Sequence, residues 1–463
     1  MLHREDTLID APRRPPGARA GSQGRSDSIR GRVPDSDSTS PENAPQAPAS
    51  HGAPARKLGS VLLITPRWAR DGGVGAHVET SAAALARDGR EVNVLVARDE
   101  SNQRIDGVNV HTHPELCKPQ ASLDARLGDI LSLLPSVVHL HQVDTPEIVD
   151  AIQPSAPVVI SAHGYTACTS GVHYFAAGHE CTRAHGLGCW PNLIFRGCAH
   201  TRDPTSFPAR YRGATARLEA LRKADLAVSY SSAIDRHLEV NGVTRRAIVP
   251  YFPTMVARQG SGHGTRRRVV FAGRVVHPKG VGVLIRAARE VDGEFVVCGD
   301  GLQLDAMRRL ARRLGVDERV RFTGWLGAEQ LADELANASV VVVPSLWPEP
   351  FGLVGIEAFA AGRPAVASAT GGIGDWLEDG VSGFTVPPGD SGRLAQALNE
   401  LLSDPELQTR MGEAGRKTVS DRFSTSHHLA ALVAAYESAR SSWELRQGSP
   451  RGPALAPAVA APS

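Results

Sequence analysis

From Leu58 onward the chain alternates short β-branched runs with stretches whose apolar positions recur at helical spacing. That alternation is the pattern of βαβ units around a parallel sheet. In a first block it predicts strands at 60–64, 91–96, 137–140 and 158–160 and a helix at 75–87, with an end near 247–250. A second block repeats the scheme, with strands at 268–272, 294–298, 320–322 and 340–343 and helices at 280–290 and 302–314. Between them, 253–267 is rich in Gly and Arg and reads as a linker. The predicted organisation is an N-terminal Rossmann-like domain at 58–252, a C-terminal one at 268–424 and a closing helix at 425–445. Two doubly wound parallel sheets of α/β class would face each other across a cleft at the carboxyl ends of their strands, where ligands bind in this architecture.

Composition narrows the picture. The 463 residues are 41% hydrophobic and 22% charged, as in soluble globular proteins, with a formal charge of +2. So small an excess argues against a nucleic-acid binder. The segments 1–57 and 446–463 are poor in large apolar side chains and are expected to be disordered tails. No apolar stretch reaches signal-peptide or bilayer-spanning length, so the expected location is the cytoplasm, with peripheral membrane contact left open.

The candidate chemistry lies on loops that follow predicted strands. Gly72 and Gly73 precede a helix, so bare amides and a helix N-terminus are available to an anion. Arg274 and Lys279 flank the loop after the strand at 268–272. A planar fork beside a mobile point charge suits the two phosphates of a nucleotide diphosphate. After the strand at 340–343 the chain reads Pro344-Ser345-Leu346-Trp347-Pro348-Glu349-Pro350-Phe351-Gly352-Leu353-Val354-Gly355-Ile356-Glu357. Pro350 disfavours helical geometry at Glu349, which therefore belongs to the loop, while Glu357 lies about one turn inside the following helix. Both carboxylates can then face one ligand.

These segments, together with His163-Gly164, Cys298-Gly299-Asp300-Gly301 and the stretch from Ala369 to Asp390, resemble the family-4 retaining glycosyltransferases of the GT-B fold (glycosyl transferases group 1) from about Leu58 to Glu444. The resemblance implies that Arg274 and Lys279 hold the diphosphate, Glu349 meets donor-sugar hydroxyls and Glu357 the ribose. It also implies that Gly72, Gly73, Phe351, Gly352 and the amides of Leu353 and Val354 line the donor site, and that the nucleobase lies near Trp325-Leu326. His163 would sit beside the donor sugar and acceptor. His163, Glu349, Arg274 and Lys279 are thus the expected catalytic set, with no protein nucleophile and no catalytic metal or other cofactor. At Gly374-Asp375 the chain departs from the Pro-Glu more common in the family.

Four of the six cysteines, Cys168, Cys181, Cys189 and Cys198, fall in an insert at about 165–215 with His173, His179, His185 and His200. Four thiolates could close a structural zinc site, although no Cys-x-x-Cys pair is present. The alternative is a loop of free thiols that covers the acceptor pocket. The expected activity is transfer of a hexose or N-acetylhexosamine from a nucleoside-diphosphate sugar, UDP first, to an acceptor hydroxyl. In the absence of a long basic amphipathic helix, a small secondary-metabolite or aminocyclitol acceptor is favoured. Alternatives are a polysaccharide or lipid-linked saccharide acceptor, an epimerase or phosphorylase on the same architecture, and a silent sugar-nucleotide-binding relative.

Overall fold

The computed structural model describes residues 59–448 apart from 71, 102–103, 115, 118–134, 144, 172–179, 199–203 and 259–266. The expected tail at 1–57, most of the one at 446–463, half of the linker, and His173, His179 and His200 lie outside the described residues.

Two sheets carry the fold, and every strand pair is parallel. The first has strands β1 (Ser60–Trp68), β2 (Glu91–Asp99), β3 (Val108–Thr112), β4 (Val137–His141), β5 (Val158–Ala162), β6 (Leu226–Ser229) and β7 (Arg246–Ile248). Their spatial order is β3-β2-β1-β4-β5-β6-β7. The second has β8 (Arg268–Ala272), β9 (Glu294–Cys298), β10 (Val320–Gly324), β11 (Val340–Val343), β12 (Ala365–Ser368) and β13 (Gly383–Val386). Its order is β10-β9-β8-β11-β12-β13. Helices cover both faces, so β4, β5, β11 and β12 are buried along their whole length, and β11 is a continuous apolar run instead of an alternating one.

In each sheet the order reverses at the first strand, between β1 and β4 and between β8 and β11. A crevice opens at the carboxyl ends of strands on either side of such a reversal, because successive connections leave in opposite directions. The loops after β1, β8 and β11 carry Gly72-Gly73, Arg274 to Lys279 and the Glu349 segment.

The last helix, Thr425–Gly448, runs three residues past its expected end and packs on the first sheet. Its Tyr436 is fully buried and bonds the His139 Nδ1 on β4 at 2.9 Å, while Trp443 donates to the Gln153 carbonyl at 2.6 Å. His428 sits between the Ser81 hydroxyl (3.2 Å) and the Pro250 carbonyl (2.8 Å). One apolar cluster consequently joins Val61 and Leu63 of β1 to Phe351, Trp376 and Tyr436.

Candidate active site

Glu349 is the best-held side chain of the cleft. Lys279 reaches both its carboxylate oxygens, at 2.8 and 2.9 Å, the Ser345 hydroxyl donates at 2.7 Å and the Trp347 indole N–H at 3.3 Å. Burial pushes the carboxyl up, but the Lys279 ammonium and the Ser345 and Trp347 hydrogen bonds outweigh it and hold Glu349 below the ordinary carboxylate range. Lys279 also lies 5.8 Å from the centroid of the Trp347 ring, a cation–π contact. Arg274 is exposed, and its guanidinium makes no hydrogen bond or ion pair with the described residues, while its carbonyl accepts from the Val276 amide at 3.0 Å. The cleft therefore offers one engaged cation and one that is available.

Behind Glu349 the chain turns at Gly352, whose φ of +88° and ψ of 58° place it in the left-handed region. That turn starts the helix Leu353–Ala360 directly, with no side chain capping its first amides. The uncapped end leaves N–H groups and positive dipole available to an anion. Across the cleft, the helix Gly73–Arg87 likewise begins at a glycine without a side-chain cap. A Cβ on Gly73 would stand 3.2 Å from Leu353 Cδ1, so the two helix starts approach each other closely. Leu326 and Val354 pack against one apolar cluster that includes Val270, Cys298 and Ala358, and Trp325 is exposed.

Glu357 accepts from the Thr254 hydroxyl at 2.9 Å, and Arg70 donates to the Thr254 carbonyl at 2.8 Å. The linker thus ties the second acid to the loop after β1. Burial raises the Glu357 carboxyl, against the two bonds from Thr254.

His163 follows β5, and both its ring nitrogens are occupied: Nε2 meets His141 Nδ1 at 3.0 Å and Nδ1 meets Tyr251 Oη at 3.0 Å. The ring stacks on Tyr230 at 4.8 Å, and His77 approaches it edge-on at 5.6 Å. Gly164, the next residue, stands against Pro350. His163 thus belongs to a buried aromatic cluster with His77, His139, His141 and His428. Burial lowers all five, His163 to about 3 and His428 to about 4.

That cluster has a thermodynamic consequence. On unfolding each imidazole regains its ordinary value near 6.5 and takes up a proton it could not bind when folded. Stability is then complete above 6.5 and is lost as pH falls towards 4, His163 and His428 contributing about 1.4 kcal/mol per pH unit each in that window. Thermal midpoints measured across this range should fall steadily, and less steeply in a His428→Asn chain. A flat profile would contradict the buried neutral cluster.

Several contacts around these groups were not anticipated from sequence. Asp375, where the chain departs from the family pattern, accepts from the Ser232 amide at 2.8 Å and the Ser232 hydroxyl at 2.6 Å. It stands at the N-terminus of the helix Ser232–Val240, where a negative charge is favoured. Ser345, Trp347, Thr254, His141 and Tyr251 were also missed as partners of the predicted residues. Only Ser345 and Trp347 had a signal, their place in the motif around Glu349. In the insert, Cys168, Cys181, Cys189 and Cys198 are all free thiols. Among the described residues no three His, Cys, Asp or Glu side chains gather as a metal site, so the zinc expectation finds no support there.

Residues 256–418 match the glycosyl transferases group 1 family. Curated relatives include the alpha-D-kanosaminyltransferase of Streptomyces kanamyceticus, 33% identical over 184 residues, which are 39% of this chain and 47% of that protein. Another is the GDP-mannose-dependent alpha-(1-6)-phosphatidylinositol monomannoside mannosyltransferase of Mycolicibacterium smegmatis, 28% identical over 407 residues, 82% of this chain and 100% of that one. The chain spans about half the length of the first curated relatives it matches, 47% and 45%. Among solved structures, Anabaena Alr3699/HepE in complex with UDP and glucose has a TM-score of 0.61 at 19% identity, covering 82% of this chain and 100% of that one. The architecture is GT-B. No helix among the described residues is long and apolar enough to cross a membrane.

Proposed function

We propose that this chain is a retaining glycosyltransferase that moves a hexose or N-acetylhexosamine from a nucleoside-diphosphate sugar, UDP first, to an acceptor hydroxyl. The observation that carries the reading is the meeting, at the carboxyl ends of β8 and β11, of Arg274, the Lys279–Glu349 pair and an uncapped helix start. Two cations and a helix N-terminus suit a leaving diphosphate, and they act on charge that grows as the bond breaks. The bond from sugar C1 to the phosphate oxygen breaks and its electron pair leaves with the diphosphate. The acceptor oxygen bonds C1 from the same face, and its proton passes to the departing phosphate. Arg274 and Lys279 neutralise the diphosphate, which is the work a catalytic metal would otherwise do.

In this mechanism Glu349 orients donor-sugar hydroxyls, Glu357 the ribose, and Leu326 packs near the base. Gly72, Gly73, Phe351, Gly352 and the amides of Leu353 and Val354 shape the donor site. The ring of His163 is held by His141 and Tyr251, so it lines the sugar pocket in a fixed orientation as a neutral group. Among the similar proteins, Alr3699/HepE is seen in complex with UDP and the Mycolicibacterium smegmatis mannosyltransferase depends on GDP-mannose, so both nucleotides belong in the test.

Titration of the purified chain with UDP, GDP and ADP, without added metal, tests the donor site. One nucleotide should bind, and Arg274→Ala should weaken it about tenfold or more, the loss expected for a charge-assisted hydrogen bond. Because Arg274 is exposed, the variant should fold normally. Binding of none of the three would remove the donor-site assignment and favour a sugar-nucleotide-independent role.

A further inference from the structure

The insert that begins after His163 turns an apolar face to solvent. Its helix Cys189–Phe195 buries Asn192 and Leu193. Underneath, Leu193 packs with Cys198, Phe207, Cys181 and Trp190, and the Trp190 ring lies 5.6 Å from Tyr211 on the helix Phe207–Lys223. The opposite side should be polar in a helix that simply covers a domain. Instead Leu187 is 80% exposed, Ile194 61% and Phe195 82%. The turn is already helical at Leu187, whose carbonyl accepts from the Trp190 amide at 3.2 Å. Positions 187, 191, 194 and 195 therefore share one face, and Pro191 is exposed with the others.

The charge around this face is mainly positive. From Glu180 to Glu219 the described residues include Arg183, Arg196, Arg210, Arg212 and Arg217 against the two carboxylates Glu180 and Glu219. The whole chain carries only +2, so the excess is local. Arg183 lies beside Gly188, one residue from Leu187, and Arg183, Arg196, Arg210 and Arg212 are exposed. Protruding aliphatic and aromatic side chains with arginines on the same insert match an interface whose interior is apolar and whose headgroups are anionic. A protein partner of ordinary affinity would require a larger apolar area than this one-turn face offers.

We propose that the insert docks the protein on an anionic lipid surface, with Leu187, Ile194 and Phe195 entering the acyl boundary and the surrounding arginines meeting the headgroups. A seven-residue helix is too short to carry a periodicity signal, which is why the sequence pattern favoured an acceptor free in solution. Tyr165, at the start of the insert, has its ring 6.4 Å from that of Trp347 in the cleft, so docking would hold the acceptor side of the cleft near the membrane.

Co-sedimentation of the full chain with vesicles tests this. The wild-type chain should pellet with phosphatidylcholine–phosphatidylglycerol vesicles at low salt, and weakly with phosphatidylcholine alone. A Leu187→Ser/Ile194→Ser/Phe195→Ser chain should lose about tenfold or more in partitioning, and Arg183→Glu/Arg210→Glu should lose as much while removing the salt dependence. Unchanged thermal midpoints and nucleotide binding in both variants would exclude misfolding. Failure to bind anionic vesicles, equal binding to neutral ones, or a dimer that the triple variant dissociates would each overturn the proposal. Vesicle binding and nucleotide binding are read separately, so failure of one is distinguishable from failure of the other.

Discussion

Lys279→Ala should lower turnover by about 10²- to 10³-fold, the usual loss when one preorganised charge at a leaving group is removed. The same substitution strands Glu349, a carboxylate that is 4% exposed and receives two of its bonds from Lys279. Removing one partner of such a buried pair costs about 3 kcal/mol of stability. The two effects separate in the double variant Lys279→Ala/Glu349→Gln, where no charge is left unpaired. Stability should largely return while turnover stays low, measured by thermal unfolding and by single-turnover kinetics with the nucleotide-sugar that binds. Recovery of turnover along with stability would show that Lys279 serves only to hold Glu349.

The pH response should change sign as well. In the wild type the Glu349 carboxyl lies below its ordinary 4.5, so its contribution is present above 4.5 and is lost as pH falls through the folded value. In Lys279→Ala the burial that opposes ionisation is no longer outweighed, and the carboxyl should rise above 4.5. Glu349 then favours the folded state at low pH and ceases to as pH rises through its folded value.

Gly371→Ala should be a severely damaging single-methyl change beside Glu349. The residue has φ of +60°, and a Cβ there would stand 2.2 Å from the Glu349 carbonyl oxygen and 2.5 Å from its amide nitrogen. Left-handed geometry costs a non-glycine residue about 1–2 kcal/mol, and forcing atoms into a packed site costs about 1–3 kcal/mol more. Relief of the clash must move Glu349 backbone, so activity should fall with stability. Gly380→Ala is the internal control, because it shares a positive φ of +73° but has nothing within 4 Å of its Cβ. It should cost about 1 kcal/mol and leave turnover intact. Similar thermal shifts in the two variants would rule out the steric part of the argument.

Most of the β-branched strands were legible in the chain, although β3, Val-Asn-Val-His-Thr, was not predicted. β8, β9 and β11 begin and end where their apolar runs do, and β1 and β2 begin where expected. β6 and β12, which read Leu-Ala-Val-Ser and Ala-Val-Ala-Ser, were not recognised. Four residues rich in alanine carry neither a period nor a β-branched signal, and they become strands because neighbours on both sides pair with them. Element ends moved by one to three residues in several helices, for instance the start of Gly73–Arg87, as helix termini commonly do.

By itself the sequence determined the two βαβ blocks and the loops that carry the charged residues, and it proposed Arg274 and Lys279 for a nucleotide diphosphate. Those features are local, since periodicity and turn chemistry act over a few residues. What each charge meets was decided only in three dimensions. Lys279 and Glu349 lie 70 residues apart, His163 and Tyr251 lie 88 apart, and His139 and Tyr436 lie 297 apart. No local pattern can specify such pairs, because they depend on which strands become neighbours and on where the last helix returns. The outward face of Leu187, Ile194 and Phe195 was hidden for the same reason: apolar residues in a sequence read as core until the surrounding fold shows that nothing covers them.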